Sequence, residues 1–362
     1  MSTGAGTAMK WSLCLMVAVA FGCQQPEKKE VVIVEEELAP TDLSSLGKPT
    51  LSAYGFFEGD LRDLKPAAGV RPYELNSALF TDYAYKRRFV KIPTGQRVNY
   101  HPTEVHSFPE GTVLIKNFYY PADFREPEKD IRILETRLLL LEGGQWKALP
   151  YIWNEEQTEA YLDVAGKTLA VSWTHTNGDK RTVNYSIPNA NQCKGCHLRG
   201  DRVVPIGPTA RQLNGILPGH QEIQLVEWQE QGHLDSLPDL KFLPRLAAYD
   251  NPNESLDARA RAWLEINCAH CHRPDGPGKT SGLHLLASVT DRAKLGIGKA
   301  PVAAGKGSGG RLYSIVPGQP DQSILQYRIE STHPGIMMPE LGRTLVHEEG
   351  VALVRQWISE MK

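Results

Sequence analysis

Two short motifs of identical pattern constrain this chain more than any other feature: CKGCH at residues 193–197 and CAHCH at residues 268–272. In each motif two residues separate a pair of cysteines, and a histidine follows the second cysteine. Two disulfides would account for the four thiols but give no role to the histidines. A zinc site of four thiolates also leaves the histidines unused, and zinc ribbons use a far shorter gap than residues 197–267.

Covalent heme attachment is the chemistry that uses every residue of both motifs. The two-residue gap matches the separation of two heme vinyl groups, and the adjacent histidine ligates the iron. The sequence therefore predicts two covalent c-type hemes. The predicted attachment cysteines and proximal iron ligands are Cys193, Cys196 and His197 for heme one, and Cys268, Cys271 and His272 for heme two. His270, between the second pair of thiols, is interpreted as a filler that faces out of its loop.

The N-terminal residues have the pattern of an export signal. From Met9 the sequence reads MKWSLCLMVAVAFGC, in which one lysine precedes an apolar run that ends at Gly22. Such a run is too short to span a bilayer but matches the core of a signal peptide. The small residue before Cys23 resembles the lipobox of bacterial lipoproteins, which predicts a signal peptide over residues 1–22 and lipidation of Cys23. Ordinary export with cleavage near Gly22, or an uncleaved anchor, are the alternatives.

Composition and charge indicate where the protein works. Residues 23–50 are charged, interrupted by proline and free of aromatic residues, which predicts a tether. The expected location is the periplasm or cell envelope, with a lipid anchor as the one membrane contact. Gln24 after Cys23, in place of Asp, favours the outer membrane. A net charge of −2 offers no basic field for nucleic acid, so the expected partners are redox proteins of the envelope.

Methionine is concentrated at one place in the chain. Apart from Met361, the residues after the predicted signal peptide contain methionine only at Met337 and Met338. A six-coordinate electron-transfer heme needs a second axial ligand, and a thioether ligand raises its potential. Gly335 and Pro339 flank the pair and predict an extended loop able to hold a side chain over a heme face. Two methionines that fill an irregular gap in a core would give the same pattern.

The C-terminal third resembles a class I cytochrome c domain. The resemblance spans residues 252–362 and is carried by ARAWLEINCAHCHRPDGPGKTSGLHL, VPGQPDQSILQYRI, MMPELGRTL and EEGVALVRQWI. It implies a helix leading into the heme motif, a terminal helix packed across it, and an iron ligand on the methionine before proline. That ligand would be Met338 for heme two, with Met337 as the second choice. Apolar spacing independently predicts helices that begin after Ser255 and near His347.

The sequence of the preceding region predicts short β-strands. RRFVKI, TVLIKNFYY, ETRLLLLE, KALPYIW, LAVSWTH and RTVNYSI are rich in β-branched and aromatic residues, and TNGDK predicts a hairpin turn. Over residues 70–200, the FPEGTVLIKNF strand and the order of elements are similar to β-sheet cytochromes of the c-prime-beta type. In that family the heme is often five-coordinate and binds small ligands. The whole chain resembles bacterial diheme c-type cytochromes.

These patterns together predict an α+β protein. An antiparallel β domain over residues 51–250 would carry heme one near its end, and an all-α class I cytochrome c domain over residues 251–362 would carry heme two. With Met338 assigned to heme two, the sixth ligand of heme one is not identified. His101, His106 and His175 are candidates, and the sequence does not choose among them.

The predicted function is electron transfer between redox partners of the envelope, which is favoured over substrate conversion. The alternative is a heme oxidoreductase or gas-binding sensor with an open site at heme one, fed with electrons by heme two.

Overall fold

Residues 70–162 form a six-stranded antiparallel sheet in a computed structural model, which describes residue 1 and residues 45–362. The strands lie side by side in chain order: β1 (Val70–Pro72), β2 (Tyr85–Lys91), β3 (Val113–Pro121), β4 (Ile131–Glu142), β5 (Gln145–Trp153) and β6 (Ala160–Leu162). Antiparallel neighbours need only short connections, which is why a chain punctuated by glycine and asparagine builds this meander.

The central strand β3 is buried on both faces of the sheet. Val113 and Ile115 pack on one face with Leu51, in a core closed by the residues before β1. Leu114 points to the opposite face, where it meets side chains from beyond residue 210. Successive strand residues alternate between faces, so a strand covered on both sides reads as a continuous apolar run. This explains the sequence VLI at its start.

A separate hairpin covers the far end of β3. It consists of β7 (Lys167–Thr174) and β8 (Lys180–Ile187), paired antiparallel. The predicted turn is present between them, and Gly178 adopts φ +89° there. Trp173 and Tyr185 from the hairpin pack against Phe118 and Tyr120. All six predicted strands are therefore found, and their ends lie within a few residues of the predicted ends.

Short helices follow the hairpin. They are α1 (Ala190–His197), α2 (Ala210–Leu213) and α3 (Gln224–Glu230), with a small ribbon of β9 (Leu198–Arg199) and β10 (Arg202–Val203) after α1. The C-terminal third adds α4 (Leu256–Leu264), α5 (Ile324–Glu330) and α6 (Glu348–Glu360). The N-cap predicted for α4 is confirmed, since the Ala258 backbone N–H donates to Ser255 Oγ at 3.2 Å.

The predicted fold class is wrong in its second half, because residues 251–362 do not form an all-α cytochrome c domain. Residues 270–323 lie in turns, with 3₁₀ turns at Lys279–Ser281, Gly305–Ser308 and Pro320–Gln322 and parallel bridges from Ile297 to Ile315 and from Tyr313 to Ser323. The physical reason is local. Glycines such as Gly282, Gly296 and Gly298 adopt positive φ, and prolines stand on either side of them at residues 274, 277, 301, 317 and 320, so this stretch cannot continue a helix.

Polar contacts link residues on either side of the predicted boundary at 250–251. The Phe80 backbone N–H donates to Asn267 Oδ1 at 2.9 Å. Asp82 accepts from the backbone N–H groups of Thr344 and Leu345, both at 2.7 Å. These contacts lie inside one compact unit, Leu43–Lys362. The sheet and the C-terminal loops therefore enclose a shared interior.

The predicted signal peptide (1–22), Cys23 and most of the tether lie outside the described residues. The end of the tether is described: the Leu162 backbone N–H donates to the Pro49 carbonyl at 3.0 Å, next to a bridge between Thr50 and Tyr161. Within residues 45–362, no helix combines the length and apolarity that crossing a membrane requires.

Candidate functional site

The first cysteine–histidine motif lies on helix α1. Asn189 caps the helix through a reciprocal pair of bonds: Gln192 N–H donates to Asn189 Oδ1 at 2.8 Å, and Asn189 N–H donates to Gln192 Oε1 at 2.9 Å. Cys193 and Cys196 are three residues apart, so both thiols lie on one face of the helix. The helix thus presents the two thiols together and ends on His197.

The tautomer of His197 is fixed by its partner. Its Nδ1 lies 2.8 Å from the carbonyl oxygen of Val204, and a carbonyl oxygen can only accept a hydrogen bond. Nδ1 therefore carries the hydrogen, and Nε2 keeps its lone pair. Burial lowers the pKa of His197 to about 4, so the ring is neutral near pH 7. A neutral imidazole with a free Nε2 is the form that ligates a metal.

The second motif has the same arrangement on a different local structure. It begins in a π-helical turn, Glu265–Ala269, which buries Cys268. His272 Nδ1 lies 2.9 Å from Ser281 Oγ, and the Ser281 hydroxyl donates to the Gly278 carbonyl at 2.7 Å. Because its hydrogen is already used, the hydroxyl accepts from His272 Nδ1–H. Nε2 of His272 is again left with a free lone pair.

The four cysteines of the two motifs are free thiols. Burial raises the pKa of Cys268 and of Cys271 to about 12, and it also raises the pKa of Cys193 and Cys196. Each thiol is therefore protonated near pH 7. Among residues 45–362, no three or more His, Cys, Asp or Glu side chains converge as they would in a metal cluster built from protein ligands alone.

A cavity of about 400 Å³ adjoins the first motif, and its described lining includes His270 from the second motif but not Cys268, Cys271 or His272. Its lining includes Cys193, Cys196 and His197 from the first motif, and Met337 and Met338 from the C-terminal loop. Further walls come from apolar side chains such as Leu138, Ile266 and Ile329. The structure thus brings the predicted thioether ligand into the cavity that the first motif lines, although the sequence assigned that ligand to heme two.

A row of three cations forms one wall of this cavity. Arg88 on β2 pairs in register with Lys116 on β3, which pairs with Arg137 on β4, so the three side chains lie next to one another on one face. Like charges directly opposite each other on neighbouring strands destabilise a sheet. Burial and the neighbouring cations lower the pKa of Lys116 well below its usual value.

Acidic groups compensate this row only in part. Glu135 binds Arg137 through two bonds of 2.7 and 2.6 Å, and Arg88 Nη1 donates to Glu74 at 2.8 Å. Arg88 is 4% exposed, yet its Nη2 is buried without a hydrogen-bond partner in the described structure. This row was not predicted from the sequence. Strand periodicity places each cation on one face, but only the register shows that they are adjacent.

The loop that carries the methionines is held by its backbone. The Met337 N–H donates to the His333 carbonyl at 2.8 Å, and the Met338 N–H donates to the Arg328 carbonyl at 3.1 Å. Arg343, which is buried, donates from Nη2 to the Met338 carbonyl at 2.8 Å. Bonds on both sides of Met338 therefore fix its position, while its side chain is free to face the cavity.

His270 does not face out of its loop, so its interpretation as an exposed filler is wrong. The side chain lines the cavity with His197, and its Nδ1 is buried without a hydrogen-bond partner among the described residues. Burial, together with the nearby His197 and His272, lowers its pKa to about 4. The sequence carries no signal for this, because the turn that directs His270 inward is a π-helical turn.

The three candidate ligands for heme one lie elsewhere. The cavity lining among the described residues includes none of His101, His106 and His175. His106 Nδ1 accepts from the His101 backbone N–H at 3.0 Å, and His175 Nδ1 accepts from Trp173 Nε1–H at 3.4 Å. His101 Nδ1 accepts from the Glu104 backbone N–H at 2.9 Å, so one ring nitrogen of each histidine is engaged in a local contact. His106 Nε2 is buried without a hydrogen-bond partner in the described structure.

His347 is a cavity residue to which the sequence assigned no role. Trp263 Nε1–H donates to His347 Nδ1 at 2.9 Å, and the Phe80 ring stacks on the imidazole at 4.3 Å. His347 Nε2 lies 3.7 Å from a Glu349 carboxylate oxygen. Burial lowers the pKa of His347 to about 4, with Glu349 opposing and Lys86 adding to the shift. The neutral ring therefore acts as an acceptor for the indole.

This environment makes stability depend on pH. Between about pH 6.5 and pH 4 the unfolded chain binds a proton at His347 that the folded protein does not bind, so stability falls as the pH is lowered through this range. The His347→Asn variant should take up one proton fewer on unfolding. The slope of its unfolding free energy against pH should therefore decrease by at most about 1.4 kcal/mol per pH unit. Urea unfolding of the full protein at several pH values measures the slope. His333→Asn, at an exposed position, is the control, and equal slopes in both variants would contradict the assignment.

Comparison of the chain with known protein families, with curated protein sequences and with solved structures found no match. The function is therefore inferred from the site itself.

Proposed function

We propose that this protein is an exported diheme c-type cytochrome that carries electrons between redox partner proteins of the cell envelope. The observation that carries the proposal is common to both motifs. His197 and His272 each have Nδ1–H directed to a fixed local acceptor, which leaves Nε2 free beside a pair of protonated thiols. A thiol adds across a vinyl group without any oxidant, because the sulfur bonds to one carbon and the hydrogen goes to the other.

The residues around the first motif fit a heme. A porphyrin is a flat apolar group with two carboxylates, and it needs apolar walls together with cationic partners. The cavity supplies apolar walls, and Arg88, Lys116 and Arg137 supply three adjacent basic side chains. Carboxylates beside the unpartnered Nη2 of Arg88 would satisfy that donor and offset the like-charge repulsion along the row.

When bound, the heme supplies one-electron chemistry at iron. The protein's own residues would have three tasks. The cysteines would attach the group, the two proximal histidines would orient and ligate the irons, and the apolar lining of the cavity would exclude water from the iron at the first motif. Met338 is proposed as a further iron ligand, with Met337 as the second choice. Export is proposed from the N-terminal sequence, with lipidation at Cys23 as the anchor to the membrane and the periplasm or cell envelope as the location.

A second candidate function is supported by one observation. None of His101, His106 and His175 contributes to the described lining of the cavity beside His197. If Met338 serves heme two, as the sequence assigns, an iron beside His197 would have an open sixth position and would bind small ligands, as a heme oxidoreductase or gas-binding sensor requires.

The proposal is tested on the full-length chain matured in a bacterium competent for c-type cytochrome assembly. Mass spectrometry should show two added heme masses, and the absorption spectrum should change reversibly between oxidised and reduced forms. Zero or one covalent heme would overturn the proposal. Carbon monoxide added to the reduced protein separates the two functions, because an unchanged spectrum favours electron transfer and a shifted spectrum favours the open site.

A further inference from the structure

The two cysteine–histidine motifs are in direct contact. The Cys271 thiol lies 3.8 Å from the carbonyl oxygen of Gly195, the residue just before Cys196 in the first motif. Immediately after the motifs, the Gly200 N–H donates to the Asp275 carbonyl at 3.1 Å. Segments that are 75 residues apart in sequence, from His197 to His272 (272 − 197 = 75), are therefore neighbours in space.

A closed ring of four charges joins the residues that follow the two motifs. Arg199 Nη2 lies 2.7 Å from Glu104 and 2.9 Å from Asp275. Arg273 Nη2 lies 2.9 Å from Glu104, and Arg273 Nε lies 2.6 Å from Asp275. Each guanidinium thus binds both carboxylates, and each carboxylate binds both guanidiniums. Networks of this kind fix geometry better than isolated surface pairs do.

The residues of the ring lie next to the proximal histidines in the chain. Arg199 is two residues after His197, and Arg273 directly follows His272. Both arginines are mostly buried, with 17% and 12% of the side chain exposed. Glu104 comes from the loop between β2 and β3, where its backbone N–H donates to His101 Nδ1 at 2.9 Å. The ring therefore ties both proximal histidines to each other and to the sheet.

We propose that the ring Arg199–Glu104–Arg273–Asp275 holds the two motifs as one rigid pair, so that the two hemes act as a coupled unit. The inference rests on the proposed function. Each heme would be bonded to its own motif, and the relative placement of the hemes then follows from the relative placement of the motifs. The four residues of the ring are positioning residues, because they act on iron chemistry only through the segments that carry the ligands.

Circular dichroism in the Soret band tests the inference on the reduced full-length holoprotein. Two porphyrins held close together in a fixed orientation give a two-signed couplet, whereas independent hemes give single-signed bands. The parent protein should show the couplet. Glu104→Gln keeps the size of the side chain but removes its charge, and it should lose most of the couplet while mass spectrometry still counts two hemes. Glu128→Gln, which removes the exposed partner of Arg87, should keep the couplet in full.

Arg273→Lys provides a second, milder variant in case the Glu104→Gln protein does not fold and bind both hemes. Lysine keeps the positive charge but cannot bridge two carboxylates in the geometry of arginine, so the couplet should again weaken. Two hemes without a couplet in the parent protein, or a full couplet in both ring variants, would overturn this inference alone. Fewer than two hemes in the parent protein would instead overturn the proposed function.

Discussion

Alanine at position 338 should remove one axial ligand and lower one of the two reduction potentials. The Met338 backbone is fixed by the carbonyl of Arg328 and the guanidinium of Arg343, and its side chain lines the cavity. A thioether favours iron(II), so its loss should lower that potential by an amount on the order of 0.1 V. The weak far-red absorption band of histidine–methionine iron(III) should disappear as well. A spectroelectrochemical titration of the holoprotein measures both effects.

Met337→Ala is the matched control for this prediction. Met337 is the neighbouring thioether and is more buried than Met338, so its truncation changes the packing of the same loop. The band and both potentials should be retained. If Met337→Ala removes the band and Met338→Ala does not, the ligand is Met337. If neither variant changes the spectrum, the methionine pair is only packing.

The heme that Met338 serves can be identified in the same way. The sequence assigns Met338 to heme two, while the structure has it in the wall of the cavity lined by His197. Replacement of both Cys193 and Cys196 by alanine should leave one heme, on the second motif. If the far-red band persists in that protein and disappears on adding Met338→Ala, the sequence assignment is correct.

Local features of the fold could be predicted because they depend on local chemistry. Period-two patterns and an Asn-Gly turn located β7 and β8, and the cap at Ser255 located the start of α4. The all-α domain was wrong because it was inferred by resemblance across residues 270–323. In that stretch positive-φ glycines such as Gly296 and Gly298 impose turns, which the apolar pattern of the flanking helices does not reveal.

The part of the candidate site that consists of consecutive residues could be predicted from the sequence. The cysteines and proximal histidines stand in two short motifs, so their identity needs no fold. By contrast, the cation row depends on the register that aligns Arg88, Lys116 and Arg137, and the charge ring depends on tertiary contact between Glu104 and two distant arginines. Strand register and long-range ion pairs leave no periodic trace in a single sequence.

A buried ion pair beneath the second motif should have the largest effect on stability. Arg211 Nε lies 3.0 Å from Glu265 Oε1, although the N–H is not aligned for a hydrogen bond, and both side chains are less than a tenth exposed. Glu265 also accepts from the Ala287 backbone N–H at 2.8 Å. Burial raises the pKa of Glu265, and the charge of Arg211 opposes that shift. The carboxylate therefore depends on its partner to stay charged in the interior.

Arg211→Met should lower the free energy of unfolding by about 3–5 kcal/mol, because it leaves the Glu265 carboxylate buried without its cation. Adding Glu265→Gln should restore much of this loss, since a neutral amide can still accept from Ala287 and costs less to bury. Arg355→Met is the control: its partners Glu330 and Asp321 are 38% and 77% exposed, so the loss of these surface pairs should cost less than about 1 kcal/mol. Urea unfolding followed by far-ultraviolet circular dichroism measures all three. Equal losses in Arg211→Met and Arg355→Met would mean that the Arg211–Glu265 pair is as weak as a surface pair and does not support the turn that carries Cys268.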